Sequence, residues 1–503
     1  MSDSVLIVGA GPTGLALAVH LVLHGVRVRI IDAASEPATT SRALGLQSRG
    51  VEVLERIGAL GDLPKRSRSL LTLYYNEGPK TKLRLQVGRA VASLPKPTFL
   101  VSQAEVEGAL RDRLSQLGAT IEWGTRLAAA DQDEADVTAT LDVRSGTQRE
   151  RFHWLVGCDG AHSAVRHLAG IDFPGTQLID RLLMIDVRAD WPYDPDGSVT
   201  WMDTGRMLSV TALPGGAWRV FSEPDPEVPG GLSEAQIAEL VLGEFTRRSG
   251  LDAAAAGEVL WATEFRIHRR LAEKYRNGRI MIAGDAAHIQ SPSGGQGQNT
   301  GLGDAENLGW KLGLVAAGRA GQQLLDSYDA ERRPLAAKML AATTGAVGIM
   351  LPDRRWKRFV RDFLVMPAMR IPAVQRRLWL VASQLTVTYR HGPLARSSSL
   401  FRRRPMQGDR MPDLECRLAD GAQSTLHRAL AGRWAVVAAD LVVADRHRRV
   451  LAAQVGDDQV VALSSPNMRA DLVVVRPDGH IGWRGGPESE SLSPWLQQIL
   501  RPA

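Results

Sequence analysis

Apolar residues follow two rhythms along this chain, and the junctions where one rhythm gives way to the other define its elements. At the N-terminus, VLIVGAGPTGLALAVHLVLHGVRVRIIDA is an apolar run, a glycine turn, a helical pattern and a second apolar run, which predicts strand, helix and strand. A similar change of period occurs at LVGCDGAHSAVRHLAGI, where Asp159-Gly160 follows a strand and Ser163 to Arg166 open a helix. It returns at GRIMIAGDAAHIQSPSGGQGQNTGLGDAENLGWKL, a strand, a loop rich in proline and glycine, and a helix. Between these, TWMDTGRMLSVTALPGGAWRVF alternates and turns like antiparallel sheet. After DSYDAERRPLAAKML a helical segment extends to about residue 395, and the turn residues of PMQGDRMPDLEC mark a boundary. Beyond it WAVVAADLVV, DLVVVRPDGHIGWRG and SPWLQQIL predict a small α/β domain.

Chemistry gathers at three of these junctions. In the first, Gly9, Gly11 and Gly14 complete G-x-G-x-x-G, and Asp32 ends the second strand, placed to meet the ribose hydroxyls of an adenosine. Nicotinamide and flavin dinucleotides share this turn, so it does not choose between them. The last junction does. Asp285 ends the strand GRIMIAG, where a carboxylate accepts hydrogen bonds from a ribityl chain. Ser291-Pro292-Ser293-Gly294-Gly295 then stiffens the backbone at the proline and brings it close to a planar ligand at the glycines. From Gly297 to Gly301 the amides open a helix whose positive end faces a bound anion, such as a reduced isoalloxazine. Asp159 taken alone reads as a helix cap. In order with the other two motifs it reads as part of the same cofactor site.

Together the three motifs resemble those of the class A, single-component FAD-dependent aromatic hydroxylases of the para-hydroxybenzoate and phenol hydroxylase superfamily, closest to its actinobacterial polyketide and antibiotic branch. The resemblance runs the length of the chain. It implies that Gly9, Gly11, Gly14 and Asp32 bind the ADP half of FAD, and that Asp159 serves FAD and NAD(P)H. Arg42 is similar to the family arginine near flavin and pyrophosphate, Gln103 to a glutamine that contacts the cofactor, and Leu127 to a backbone position beside the adenine. Asp285, Pro292, Gly297 and Asn299 match the contacts to ribityl chain and ring, with Pro292 at the edge where oxygen reacts. Gln298 stands where family members usually carry Leu or Met; backbone amides make the main contacts there, so FAD binding is expected to persist in a more polar setting.

The implied fold is α/β: a Rossmann-like FAD-binding domain of glutathione-reductase type, an inserted and mostly antiparallel substrate sheet, and a thioredoxin-like C-terminal domain. The expected division gives 1–70, 98–180 and 270–340 to the FAD domain, 71–97 and 181–269 to the substrate domain, and 341–404 to a helical segment. The C-terminal domain, 405–503, lacks Cys-x-x-Cys, so a structural or interface role is expected there. The implied reaction is reduction of FAD by NADPH or NADH, oxygen addition at the flavin C4a, and transfer of OH from the hydroperoxide to an electron-rich ring. Trp201, Met202, Met207, Trp218 and Phe221 are the candidate substrate contacts, on sheet whose alternation leaves open which face meets the flavin. The branch suggests a bulky polycyclic phenol, quinone or antibiotic as substrate. Three other readings stay open: a Baeyer–Villiger oxygenase on the same fold, a flavin dehydrogenase or reductase, and a flavin-binding scaffold.

Composition narrows the setting. At 503 residues with 44% apolar side chains the chain is long enough for several domains. It has no run apolar enough to span a membrane, no secretory signal is expected because MSDSVLIVGAG is already the first strand, and its two cysteines, Cys158 and Cys416, cannot make a metal cluster or disulfide framework. A cytoplasmic monomer or homodimer without metal is expected. The net charge of +6 comes mostly from arginines dispersed among acids, which argues against nucleic acid. Their densest stretch, 354 to 404, carries Trp356, Phe359, Val360 and Phe363 at helical spacing and is expected to form helices with a solvated basic face. His288 is expected to be a packed, hydrogen-bonded residue.

Overall fold

In the computed structural model, residues 4–39, 44–201, 206–252, 257–290, 295–350, 355–395, 404–469 and 471–500 are described. The first apolar runs build a six-stranded sheet in the order Arg276–Asn277, Ile280–Ile282, Trp154–Gly157, Ser4–Val8, Arg27–Asp32, Ile121–Trp123. Ser4–Val8 lies at its centre, parallel to both neighbours, and all five of its residues are buried. Such continuous burial is what a parallel strand covered on both faces requires. The helix Pro12–Leu23 follows the glycine turn and packs on the long helix Gln296–Ala316. Beside this sheet runs a three-stranded antiparallel meander, Arg126–Gln132, Val137–Val143 and Gly146–Phe152.

An eight-stranded sheet holds the alternating segments, in the order His288–Ile289, Glu258–Leu271, Gly175–Arg188, Ala217–Ser222, Leu208–Ala212, Gly197–Trp201, Thr72–Glu77, Lys80–Gln86. One face is apolar: Val199, Trp201, Val210, Trp218 and Val220 pack under the helix Glu234–Ser249 with its Ile237, Val241 and Phe245. A capping box, Ser233 with Gln236, starts that helix, and Gly250 in the left-handed region (φ 73°) ends it. The far edge of the sheet pairs Arg270 with Ile289 and Leu271 with His288, so it is hydrogen-bonded to the loop that carries Asp285.

The C-terminal residues form a mixed six-stranded sheet, Gln423–Thr425, Glu415–Arg417, Val460–Ser464, Trp434–Ala438, Leu472–Val475, Ile481–Gly485. It docks through Trp434, whose ring lies 5.2 Å from that of Trp310, and through buried ions. Arg56, 3.4 Å from His427 Nδ1 of the C-terminal unit, is held from behind by both oxygens of Glu306, to which it donates at 2.6 and 3.0 Å. Arg49 donates to Glu306 at 3.1 Å and to the carbonyl of Asp478 at 2.7 Å. Arg410 pairs with Glu52, and Arg476 with Asp478 and with Glu331 at 2.9 Å. No described helix is long and apolar enough to cross a membrane.

The basic stretch is helical, with Arg355–Val360, Met366–Ala368 and Pro372–Ala382 joined by a π-type turn and a bend. Its apolar spacing does not mark a face packed in the core: Trp356, Phe359 and Phe363 are 60%, 60% and 65% exposed, the two phenylalanines stacked at 4.5 Å. Helical period fixes which residues share a face, and among the described residues this segment is packed further along, where Met366, Met369 and Trp379 meet Leu83, Leu85, Val87 and Val91.

Candidate functional site

The N-terminal turn is built by close approach. A Cβ on Gly9 (φ 104°) would lie 2.3 Å from the Cys158 carbonyl oxygen, and one on Gly14 would lie 1.9 Å from that of Gly9. Gly11 differs: an added Cβ meets nothing within 4 Å, and the helix it caps has no side-chain cap for its first amides. Amides open to space at a helix start are a site for an anion. Asp32, at the end of its strand, is held by the amides of Ala10 and Ala34, both at 2.8 Å. Gln103 starts the helix Gln103–Gln116, capped by Ser102, and donates to Glu107 at 2.8 Å. The Thr125 amide donates to the Asp32 carbonyl at 2.9 Å, which brings Leu127, its side chain buried, to the same edge. Arg42 lies outside the described residues.

Asp159 accepts from the Ser163 hydroxyl at 2.5 Å and the Val165 amide at 3.1 Å. Burial raises its pKa and these bonds oppose the rise. Its side chain therefore ties the start of the helix Ala164–Leu168, and it is Gly160 (φ 78°), with nothing within 4 Å of an added Cβ, that faces the open space.

At the third junction Asp285 sits in a tight 3₁₀ turn, Gly284–Ala286, directly after the strand Ile280–Ile282. A Cβ on Gly284 or Gly301 would come within 2.5 or 2.3 Å of Thr13 Oγ1, so the turn and the two long helices meet at this threonine. The Asp285 side chain is exposed into a cavity, with no hydrogen bond to a described residue. Solvent reaches it from the cavity while the protein behind it desolvates it, which raises its pKa, with His288 opposing. His288 is buried and lies 2.6 Å from Asp304, which also accepts from the Gly284 amide at 3.1 Å and from Arg332 at 2.7 Å. Burial would raise the Asp304 carboxyl, but Arg332 and His288 bring it below the ordinary value. This ion cluster clamps the Asp285 turn from behind.

Gly297 has open space on its Cβ side. Asn299, by contrast, is fully buried: its Oδ1 accepts from the Gln47 amide at 2.9 Å, and its Nδ2 donates to Gly45 at 2.9 Å and Gly295 at 2.7 Å. It fixes the two backbone segments that flank the opening. Pro292 and the rest of 291–294 lie outside the described residues.

All three junctions open on one cavity of about 950 Å³. Gly11, Gln103, Gly160 and Asp285 line it from the three junctions and the helix Gln103–Gln116, together with Gly45, Gly297 and Gln298, while Tyr75, Phe221, Trp261 and Phe265 line it from the eight-stranded sheet and Trp379 from the helix Pro372–Ala382. Among the described lining residues Asp285 is the one carboxylate, and there is no His, Lys or Arg. Burial pushes the Tyr75 hydroxyl up to about 12 and the Cys158 thiol well above its usual range, so neither is a base at neutral pH.

Of the five substrate candidates, the structure puts Phe221 on the cavity. Trp201 and Trp218 lie on the opposite face of the sheet, their indole N–H groups donating to Gly78 at 2.8 Å and Ala189 at 3.0 Å, and they belong to the core under Glu234–Ser249. Met207 sits before the strand Leu208–Ala212, bonded through its carbonyl to the Glu223 amide at 2.9 Å, and does not line the cavity. Met202 lies outside the described residues. Trp261 and Phe265, spaced four apart in LWATEFRI, share the cavity with Phe221; once the strand pairing is known, alternation finds them. Trp379 reaches it from a helix, and no local pattern announces that. We therefore expect Trp218→Ala to cost ~3–5 kcal/mol of stability with little change in substrate KM, and Phe221→Ala to raise KM about tenfold with little loss of stability. Denaturant melts and steady-state kinetics on both variants check this division; a larger KM effect at Trp218 would reverse the assignment of faces.

The chain matches the FAD binding domain family over residues 3–343 and the aromatic-ring hydroxylase, C-terminal family over residues 404–503. It is 34% identical to the 12-dehydrotetracycline 5-monooxygenase/anhydrotetracycline 6-monooxygenase of Streptomyces rimosus, across 97% of this chain and 96% of that one. It is 32% identical to a rifampicin monooxygenase of Streptomyces venezuelae, across 97% of both. The solved structure of the anhydrotetracycline hydroxylase from Streptomyces rimosus superposes with a TM-score of 0.80 at 31% identity, covering all of both chains.

Proposed function

The chain belongs to the FAD-dependent aromatic-ring hydroxylases, and from that premise we propose that it is a single-component monooxygenase, consuming NAD(P)H and O2, for a bulky polycyclic aromatic substrate of polyketide or antibiotic type. The observation that carries this reading is the single cavity that joins the dinucleotide turn, the Asp285 turn and an aromatic wall.

The site fits FAD. Gly11 and Gly160 leave room and free amides for the pyrophosphate, Gly9 and Gly14 hold the turn, and Asp32 is placed for the adenosine ribose. The unpartnered Asp285 offers an acceptor to the ribityl hydroxyls, and Gly45 and Gly297 flank space for a planar ring. Gln103 and Leu127 border the adenosine end; Asp159 and Asn299 act as positioning residues through the backbone they brace. Arg42 and Pro292 complete the set we assign. Bound there, FAD supplies hydride acceptance from the nicotinamide and the activation of dioxygen.

What remains to the protein is orientation and the exclusion of water. Phe221, Trp261, Phe265 and Trp379 give the cavity of about 950 Å³ an aromatic wall suited to a polycyclic substrate, while Gln290 and Gln298 offer polar contacts to ring substituents. Asp285, which we assign to the cofactor, is the one carboxylate among the described lining residues, and this sparse set of titratable groups suits a reaction whose difficult step lies on the cofactor. We read residues 1–70, 98–180 and 270–340 as the FAD domain, 71–97 and 181–269 as the substrate domain, 341–404 as the helical cover, and 405–503 as a thioredoxin-like unit with a docking role. The strand order of the two large sheets and the buried ion pairs between the FAD domain and the C-terminal unit support that division. A cytoplasmic setting accords with this chemistry.

The test is NADPH and NADH oxidation by the FAD-loaded protein against polycyclic phenols, tetracycline-type intermediates and ansamycins, with mass analysis. We expect oxidation to rise with one compound class and to yield a ring-hydroxylated product heavier by one oxygen. A ring-expanded lactone would convert the reading to a Baeyer–Villiger oxygenase, and reduction of substrate without added oxygen would overturn it.

A further inference from the structure

The helical segment 355–382 leaves much of its apolar surface in the open. Of the fourteen large apolar side chains exposed among the described residues, eight lie between Trp356 and Val381. The first five, Trp356, Phe359, Val360, Phe363 and Leu364, recur three and four positions apart and so share one helical face. The segment is nonetheless seated, because Met366, Met369 and Trp379 pack on Leu83, Leu85, Val87 and Val91. What stays outside is a face of an anchored element, and an apolar concentration of this kind marks a contact with another body.

The charge of the segment is one-sided. Residues 355–382 hold seven lysines and arginines and one acid, Asp362, which lies 2.7 Å from Arg361. The sheet edge beside it is basic too: Arg84 and Arg89 join Arg370 and Arg376 around an open hollow of about 570 Å³ whose lining includes no carboxylate. All four are exposed, and none has an acidic partner among the described residues; Arg84 has the Tyr74 ring at 5.4 Å. Like charges around one space repel one another, and an anion seated among them relieves the repulsion. Guanidinium forks match phosphate oxygens in particular. The packed Leu83, Leu85, Val87 and Val91 wall this hollow off from the main cavity, so its ligand is a separate one. Stripe and hollow meet on the helix Pro372–Ala382, where Arg376 lines the hollow and Leu378 and Val381 are exposed.

An apolar stripe with a basic rim selects among partners. A second copy of the chain would set arginines against arginines, and a nucleic acid leaves exposed valine, leucine and isoleucine unused. An anionic bilayer takes both features, the aromatic and aliphatic side chains at the level of the acyl boundary and the cations at the level of the phosphates. We propose that this surface docks the protein on an anionic phospholipid bilayer, with Trp356, Phe359 and Phe363 entering the interface and the hollow of Arg84, Arg89, Arg370 and Arg376 taking a headgroup phosphate. No described helix is long and apolar enough to cross the bilayer, so the contact is peripheral. On the function proposed above, a polycyclic aromatic substrate partitions into the same bilayer, and docking holds the enzyme where that substrate concentrates.

Flotation of the FAD-loaded full chain with vesicles of phosphatidylcholine alone, or of phosphatidylcholine with phosphatidylglycerol, tests this. We expect binding to the mixed vesicles that weakens as salt rises and is at least about tenfold weaker on phosphatidylcholine alone. Trp356→Ser/Phe363→Ser removes the stripe and Arg84→Ala/Arg376→Ala discharges the hollow. Each should bind the mixed vesicles about thirtyfold more weakly, with unchanged flavin content and melting temperature, since all four side chains are exposed. Arg149→Ala/Arg428→Ala removes as much exposed charge elsewhere and should bind like the wild type. A wild type that leaves both kinds of vesicle unbound, binds them equally, or loses no affinity in the two variants overturns the proposal. So does a dimer that fails to float and that Trp356→Ser/Phe363→Ser turns into monomer, which assigns the face to a second copy. Flotation needs no turnover, so its outcome is read apart from that of the monooxygenase assay.

Discussion

Asp285→Ala will purify with little flavin, and its dissociation constant for FAD will rise about a hundredfold, equivalent to ~3 kcal/mol. The carboxylate faces the cavity without a partner among described residues, so its hydrogen-bonding capacity is free for a ligand. Removing it deletes an ionised acceptor for ribityl hydroxyls, and bonds to charged groups contribute ~1.5–3 kcal/mol each. The fold should hold, because the clamp behind the turn runs through His288, Asp304 and Arg332 and does not use Asp285. Asp285→Asn keeps an acceptor and should lose less. Since burial raises the Asp285 pKa, wild-type affinity should also weaken on acidification from a pH above that at which an ordinary aspartate protonates. Absorbance titration of apoprotein with FAD checks all three; full occupancy in Asp285→Ala would displace the site.

Glu331→Ala should be among the most destabilising single changes, at ~3–5 kcal/mol. Glu331 lies on the helix Gln323–Met350 and accepts from Lys311 and Asn307 at 2.8 Å and from Arg476 at 2.9 Å, all buried. Truncation leaves Lys311 and a guanidinium from the C-terminal unit without this countercharge in a dry interface. Burial would raise the Glu331 carboxyl, but Arg476 and Lys311 hold it at about 2, below its ordinary 4.5. A carboxyl lowered on folding contributes stability that is full above pH 4.5 and lost as pH falls toward 2. The wild type should therefore weaken through that window, and the variant should lack this component of the acid transition. Melts of both between pH 7 and 3 read the effect. Glu488→Ala, which breaks an exposed pair with Arg446, serves as the control and should leave the melt unchanged. A Glu331→Ala protein that melts with the wild type would show that these ions do not fasten the C-terminal unit.

The parts of this molecule legible in the sequence are those set by local rules. Ser4–Val8, apolar from Val5 on, and Ile280–Ile282 read as buried strands because of their continuous apolar runs, and Gly9 and Gly14 stand out because no side chain fits there. Alternation assigns Trp218 and Phe221 to opposite faces of a strand, yet only the helix Glu234–Ser249, packed on one face, decides that Trp218 is core and Phe221 cavity. Asn299 shows a second limit. Its motif position points to a cofactor contact, and its side chain is spent on backbone groups at Gln47, Gly45 and Gly295, a use that depends on contacts some 250 residues away in sequence. The charges are hardest to read. Arg49, Arg56, Glu306, Asp478 and Arg476 look like solvated helix and loop residues one segment at a time, and become a buried network only when helices and a terminal sheet distant in sequence converge.

The two-faced eight-stranded sheet has a consequence for how such an enzyme changes its diet. Ser198, Thr211 and Phe221 look into the cavity, while Val199, Val210 and Val220, their immediate neighbours in sequence, carry the core. A random mutation in these strands therefore meets one of two kinds of constraint, and at cavity positions it can reshape the accepted ring system with little loss of fold. A combinatorial library confined to every second residue of these strands would explore substrate scope at a high fraction of folded members. One shifted by a single residue would spend most of its diversity on proteins that never fold.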